Sequence, residues 1–204
     1  HTPLHHDKAL SAIKASGRQI VVCDDKSSIP KSMSQKIDGG ATTTATECAV
    51  LFTSGSTGQP KACVLNNNYF LEMGYWYRDI GGLCALEAGS ERLITPLPLT
   101  HMNAMATSTM AMVVTGGCLI QLDRFHPRSW WQTVRESEAS VIHYLGVMPA
   151  ILLQLPEAQS DREHHVKFGF GAGVNPAHHE IFEQRFGFPL IEAWAMTETG
   201  SGGC

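Results

Sequence analysis

The densest run of chemically capable side chains is Thr53-Ser54-Gly55-Ser56-Thr57-Gly58-Gln59-Pro60-Lys61, which packs four hydroxyls, two glycines and a lysine into nine positions. Glycines let backbone N–H groups turn toward an anion with no Cβ in the way, hydroxyls donate further hydrogen bonds, and Lys61 adds a full positive charge. Pro60 stiffens the chain just before that lysine. The set fits a phosphate cradle. A flexible Ser/Gly surface loop is the commoner reading of such a cluster, but this one directly follows the apolar run 49–52, read as a buried strand. The other phosphate loop, GxxxxGK followed by Ser or Thr, differs in two places. Gln59-Pro60 separates Gly58 from Lys61, and Ala62 stands where that motif needs a hydroxyl for magnesium.

A second set follows late in the chain, as Phe170-Gly171-Ala172-Gly173 and then Glu192-Ala193-Trp194-Ala195-Met196-Thr197-Glu198-Thr199-Gly200. Small residues at Gly171, Ala172 and Gly173 leave room for a flat ring against the backbone, and Trp194 can stack on its other face. Thr197 can donate to a phosphate, and Glu198 offers a hard oxygen ligand for magnesium. Taken singly these fragments are weak, since Gly-Ala-Gly is more often a plain turn and a Trp among apolar residues more often core. Their order after the first loop gives them weight. Between the two sets, Thr95-Pro96-Leu97-Pro98-Leu99-Thr100-His101-Met102-Asn103 runs from a strand into a loop with His101 at its mouth. The adjacent pairs His5-His6, His164-His165 and His178-His179 do not read as a metal site. Neighbouring side chains point in different directions, and no Cys or carboxylate joins them at ligand spacing.

The elements that must position these residues alternate. A helix over 9–16 and a strand over 19–23 precede a polar connector over 24–46. Strands are expected over 49–52, 92–97, 118–122, 141–145, 166–170 and 190–194. Helices are expected over about 67–80, 103–114, 127–138, 148–155 and 176–186. Strands separated by helix-length segments imply an α/β fold with a mostly parallel sheet and helices on both faces. Ligands of such sheets bind at the carboxyl ends of the strands. Both chemical loops are expected there.

With 15 basic and 19 acidic residues interspersed, the chain offers no basic stripe for nucleic acid and no polybasic membrane anchor. A small-molecule partner is expected. The six cysteines are scattered singly, without zinc or disulfide spacing, and read as buried free thiols of a cytoplasmic protein.

The string TSGSTGQPK resembles the signature of the adenylate-forming superfamily of acyl-CoA synthetases, luciferases and peptide-synthetase adenylation domains. That resemblance implies a loop closing over the β and γ phosphates of ATP. It also implies an adenine-binding Gly-Ala segment followed by Tyr-Gly-Met-Thr-Glu. This chain departs by carrying Trp194 and Ala195 for the Tyr and Gly, which keeps stacking but loses the phenol hydroxyl. His101, with Met102 beside it, matches the aromatic-His pair that lines the carboxylate pocket, although Thr100 replaces the aromatic. The stretches Phe125-His126-Pro127-Arg128-Ser129-Trp130-Trp131, Ser160-Asp161-Arg162-Glu163-His164-His165 and Arg185-Phe186-Gly187 look most like carnitine or crotonobetaine CoA ligases. The implied activity is ATP-dependent conversion of a carboxylic acid to an acyl adenylate and then to a coenzyme A thioester, with Lys61, Thr197 and Glu198 catalytic and Mg2+ on Glu198. Residues 1–204 are expected to be a piece of the large N-terminal domain, with a ribose-binding Asp, a hinge and a small domain bearing a catalytic lysine lying downstream. A P-loop phosphotransferase and a non-catalytic nucleotide-binding fragment are the rival readings.

Overall fold

A computed structural model describes residues 40–53 and 58–203. The expected elements over 9–16 and 19–23, most of the connector, Cys23 and Cys204 lie outside the described residues. So do Ser54, Gly55, Ser56 and Thr57.

The described chain opens with an antiparallel ribbon, β1 (Glu47–Thr53) paired to β2 (Lys61–Asn66), with Thr53 opposite Lys61. The strand expected over 49–52 is present, but it is neither buried nor part of the parallel sheet. Leu51 is buried, whereas Val50 and Phe52 are 52% and 66% exposed. Alternation along a two-stranded ribbon gives it one packed face and one open face. The strands that flank the expected phosphate loop therefore pair with each other and not with the main sheet.

Helix α1 (Asn67–Asp79) starts at once, with the Asn66 side chain accepting the Tyr69 N–H at 3.0 Å as its N-cap. Strand β3 (Arg92–Thr95) then leads into a π-helical turn (Asn103–Ser108) that continues as α2 (Thr109–Thr115). After β4 (Cys118–Gln121) come α3 (Trp130–Glu136), β5 (Val141–Leu145), α4 (Val147–Leu153), β6 (Phe168–Ala172), α5 (Pro176–Phe186) and β7 (Leu190–Glu192). A second antiparallel ribbon, β8 (Trp194–Met196) with β9 (Gly200–Gly203), ends the described chain. Residues 127–129 form a separate short turn, so the helix expected from 127 begins at Trp130.

Strands β4-β3-β5-β6-β7 form one sheet, and every pairing in it is parallel. Side-chain alternation splits the core. Leu93, Val141, Phe168 and Phe170 pack with Tyr77 and Met112 on the α1/α2 face. Ile94, Ile142, Tyr144 and Leu190 pack with Trp130, Trp131, Leu152 and Phe186 on the α3/α4/α5 face. Helices on both faces of a parallel sheet are thus present, as the alternation in the sequence predicts. A smaller cluster joins Leu51 and Leu65 of the first ribbon to Met73 and Met102.

The thiols differ from expectation. Cys84 is buried and Cys63 half-buried, but Cys48 and Cys118 are exposed, the first because it sits on the ribbon and the second because it opens the edge strand β4.

Candidate functional site

At the carboxyl ends of β5 and β6 lies a cavity of about 270 Å³. Met102, just before the π-helical turn, and Asn103 and Thr107 within it form one wall, and Leu145 stands at the end of β5. Phe170, Gly171 and Ala172 of β6 and Ala193, Trp194 and Ala195 after β7 complete it. Of the residues singled out in the sequence, Met102, Gly171, Ala172, Ala193, Trp194 and Ala195 share this one cavity. A larger cavity of about 770 Å³, bordered by Thr43, Cys48, Phe70 and Met105 among others, contains none of them.

Gly171 and Ala172 belong to the last turn of strand β6, not to a loop after it. A Cβ on Gly171 would lie 2.3 Å from the Tyr144 carbonyl oxygen, so its glycine is required by the close approach of β5 rather than by room for a ring. The Ala193 N–H donates to the Gly171 carbonyl at 2.8 Å, fixing the rim. Glu192 is occupied by the fold itself, its carboxylate accepting the Val174 N–H at 2.6 Å and pinning the segment that follows β6. Tyr144 donates from its phenol to the Ile191 carbonyl at 3.1 Å. Burial, reinforced by the charges of Glu192 and Glu183, pushes that phenol above its ordinary pKa. Trp194 is 60% exposed, with its ring available for stacking at the cavity mouth.

Lys61, exposed, opens β2, and Gly58 adopts φ +76°, a left-handed conformation that suits glycine. Thr197 and Glu198 sit in the turn between β8 and β9, where the Thr199 N–H closes on the Met196 carbonyl at 3.2 Å. Helix α1 supports both ribbons. Its Met73 packs with Leu51 and Leu65 of the first, and Gly200 of the second lies so close that a Cβ would stand 2.9 Å from Met73 Cε. Tyr69 of the same helix has its phenol pKa pushed up to about 12, by burial first and then by the nearby Cys63 and Glu198. The acidic tip thus faces the helix that follows Lys61's strand. The buried hydroxyls of Tyr69 and Thr53 have no hydrogen-bond partner among the described residues. His101 is exposed on the turn before the π-helical segment, its carbonyl accepting the Met105 N–H at 3.0 Å, and it does not border the cavity.

Sequence reasoning missed Tyr69, Asn103, Thr107, Leu145 and Phe170. Asn103 and Thr107 stand four apart, a helical spacing that puts them on one face beside Met102. That spacing is the signal that was available.

The donor set fits nucleotide phosphates. Lys61, unpaired hydroxyls and a single exposed carboxylate at Glu198 suit magnesium that keeps water and takes phosphate oxygens as ligands. Among the described residues no three His, Cys, Asp or Glu side chains gather into a self-sufficient metal cage.

An open parallel sheet with a cavity at the carboxyl ends of its central strands defines an α/β ligand-binding domain. The chain belongs to the AMP-binding enzyme family, whose profile matches residues 4–204. It is 31% identical over 150 residues to the very long-chain fatty acid transport protein of Cochliobolus heterostrophus, covering 73% of this chain and 23% of that one. It is 29% identical over 151 residues to crotonobetaine/carnitine–CoA ligase of Salmonella paratyphi B, covering 74% and 28% respectively. The chain therefore spans about a quarter of the length of these curated relatives. Among solved structures, ATP-bound MatB from Rhodopseudomonas palustris superposes with a TM-score of 0.65 at 23% identity, over 81% of this chain and 31% of that one. That likeness concerns the fold.

Proposed function

We propose that the protein containing this chain activates a carboxylic acid with ATP, forming an acyl adenylate, and transfers the acyl group to coenzyme A. The observation that carries this reading is the cavity at the carboxyl edge of the sheet, assembled from three separate stretches singled out in the sequence, in a chain of the AMP-binding enzyme family. The relation to crotonobetaine/carnitine–CoA ligases supports the thioester half of the reading.

In this reading Thr53, Ser54, Ser56 and Thr57 donate hydroxyls, Gly55 and Gly58 donate backbone N–H groups, and Lys61 neutralises the β and γ phosphates. Thr197 orients the α phosphate. Trp194 covers one face of the adenine, with Gly171, Ala172 and Gly173 along its edge and Glu192, Ala193, Ala195 and Met196 shaping the rim. His101 and Met102 front the carboxylate. Glu198 would hold magnesium, which when bound neutralises charge on the phosphate oxygens. The substrate carboxylate oxygen attacks the α phosphorus, the bond to the bridging oxygen breaks, and pyrophosphate leaves with that electron pair. The coenzyme A thiolate then attacks the acyl carbon and AMP departs. Most of the barrier is electrostatic, so prearranged donors matter more than any covalent group on the protein.

Exchange of radiolabelled pyrophosphate into ATP by the full-length protein, across a panel of carboxylic acids, tests the proposal. Acid-dependent exchange is expected. Absence of exchange, or exchange indifferent to the acid, would overturn it.

A further inference from the structure

Behind the cavity wall, in the middle of an otherwise apolar strand, lies His143. It is fully buried, and burial drives its pKa down to about 3, so the ring is neutral. Three groups surround it. Its Nε2 is 3.0 Å from the Tyr77 hydroxyl on α1, and its Nδ1 is 2.7 Å from Ser108 Oγ and 3.1 Å from Asn103 Oδ1. Ser108 Oγ also donates to the Asn103 backbone carbonyl at 3.1 Å. The π-helical turn makes this possible, because its i→i+5 winding brings residues five apart together, as Thr109 also shows by donating its hydroxyl to the Ala104 carbonyl.

One proton arrangement satisfies all of these contacts. Tyr77 donates to Nε2, the Nδ1–H is shared between Ser108 Oγ and Asn103 Oδ1, and Ser108 spends its own proton on the Asn103 carbonyl. The opposite tautomer would leave Ser108 one proton for two acceptors and set the Nδ1 lone pair against Asn103 Oδ1. In that arrangement the Asn103 carboxamide holds its oxygen toward His143. Its Nδ2, with two N–H donors, takes no acceptor among the described residues, and Asn103 borders the cavity. Of the cavity's side chains, only Asn103 and Thr107 carry polar groups other than the Trp194 ring N–H.

We infer that Asn103 is a specificity-determining donor and His143 the positioning residue that aims it. The part of the cavity beside the π-helical turn, as distinct from the Gly171–Ala172 and Trp194 side given to adenine, then favours carboxylic acids bearing a hydrogen-bond acceptor, such as a hydroxyl, keto or second carboxylate oxygen, over unsubstituted acids of the same chain length. This inference rests on the acid-activation reading. A donor left bare in an apolar pocket disfavours a ligand that cannot pair with it, which supplies the discrimination.

The test measures acid-dependent pyrophosphate exchange by the full-length protein with matched pairs of 3-hydroxy and unsubstituted acids. The unaltered protein should prefer the hydroxy acid, and Asn103→Ala should lower that preference about 10-fold, chiefly by raising KM for the hydroxy acid. His143→Asn keeps a donor at the Nδ1 position and should retain the preference. His143→Gln places its amide near the Nε2 position and should lose it, with thermal unfolding expected to show both variants folded. Equal losses for both members of a pair in Asn103→Ala, or no preference in the unaltered protein, would overturn the inference and leave acid activation standing. No acid-dependent exchange at all would overturn both. Should the His143 variants fail to fold, the Asn103→Ala comparison alone decides, because Asn103 is only half-buried and Ser108 still accepts the Nδ1–H of His143 when it is shortened.

Discussion

At the amino edge of the sheet, three residues that each precede a strand close on one another. Glu91 before β3 is 1% exposed, and its carboxylate accepts from Ser140 Oγ before β5, from the Glu87 N–H at 2.8 Å and from Lys167 Nζ before β6 at 3.0 Å. Ser140 also accepts the Arg92 N–H at 2.9 Å. Each of these side chains answers another. In the middle of β5, His143 is equally buried and equally satisfied, yet the chain of hydrogen bonds that starts there runs outward and stops at an amide facing the cavity at the carboxyl edge. The same sheet thus uses buried polar groups to fasten one end and to present a donor at the other. A polar network that closes on itself is structural, and one with a surplus donor at a cavity points to a ligand.

Disrupting the fastened end should cost stability. Glu91→Ala removes the acceptor of Ser140 and of the Glu87 N–H, leaves Lys167 only the exposed Glu87 carboxylate at 3.2 Å, and is expected to lower unfolding free energy by about 2 kcal/mol in urea titrations. Although burial alone would raise its pKa, the hydrogen bonds from Ser140, Glu87 and Lys167 hold the Glu91 carboxyl below its ordinary value of 4.5. The folded state therefore binds this proton less readily than the unfolded chain. Glu91's contribution is whole above pH 4.5 and is lost as the pH falls through the lowered folded value. Urea midpoints measured across this window should fall less steeply in Glu91→Gln.

Lys61→Ala acts on the other end. It should reduce acid-dependent pyrophosphate exchange about 100-fold while leaving the urea midpoint unchanged, because Lys61 is exposed and opens a ribbon. An unaltered exchange rate would remove Lys61 from the site. Gly171→Ala joins the two regions, since the new methyl must push β6 from the Tyr144 carbonyl, and thermal unfolding should report a loss of about 2 kcal/mol. The smallest effect belongs to Glu192→Ala. Freeing the Val174 N–H should cost about 1 kcal/mol, measured by the same unfolding, and ATP affinity should fall only as far as the rim loosens.

Much of this was legible in the residues. Runs such as Val141-Ile142 and Leu93-Ile94 alternate with helical stretches, and that alternation is enough to imply a parallel sheet covered on both sides. The ribbons were not legible. Residues 61–66 continue straight from a loop into a helix without a turn signal, and Gly200-Ser201-Gly202-Gly203 has no side-chain pattern that marks a strand. The candidate loops were found because their composition is unusual, and the cavity does gather six of the residues named. Asn103 and His143 escaped notice because each is ordinary in its own segment. Only the π-helical turn, a local widening with no compositional signature, brings them together across 40 positions of sequence.

The clasp formed by Glu91, Ser140 and Lys167 also has a consequence for engineering. Four neighbouring strands are indexed at their starting points, since the Cys118 N–H donates to the Glu91 carbonyl and the Lys167 N–H to the Ser140 carbonyl, both at 2.8 Å. A sheet indexed at one end tolerates exchange of the segments at its far end, as a comb holds its spacing when the tips of its teeth are reshaped. Redesign of the cavity at the carboxyl edge can therefore proceed by replacing those far segments wholesale, without resetting how the strands line up.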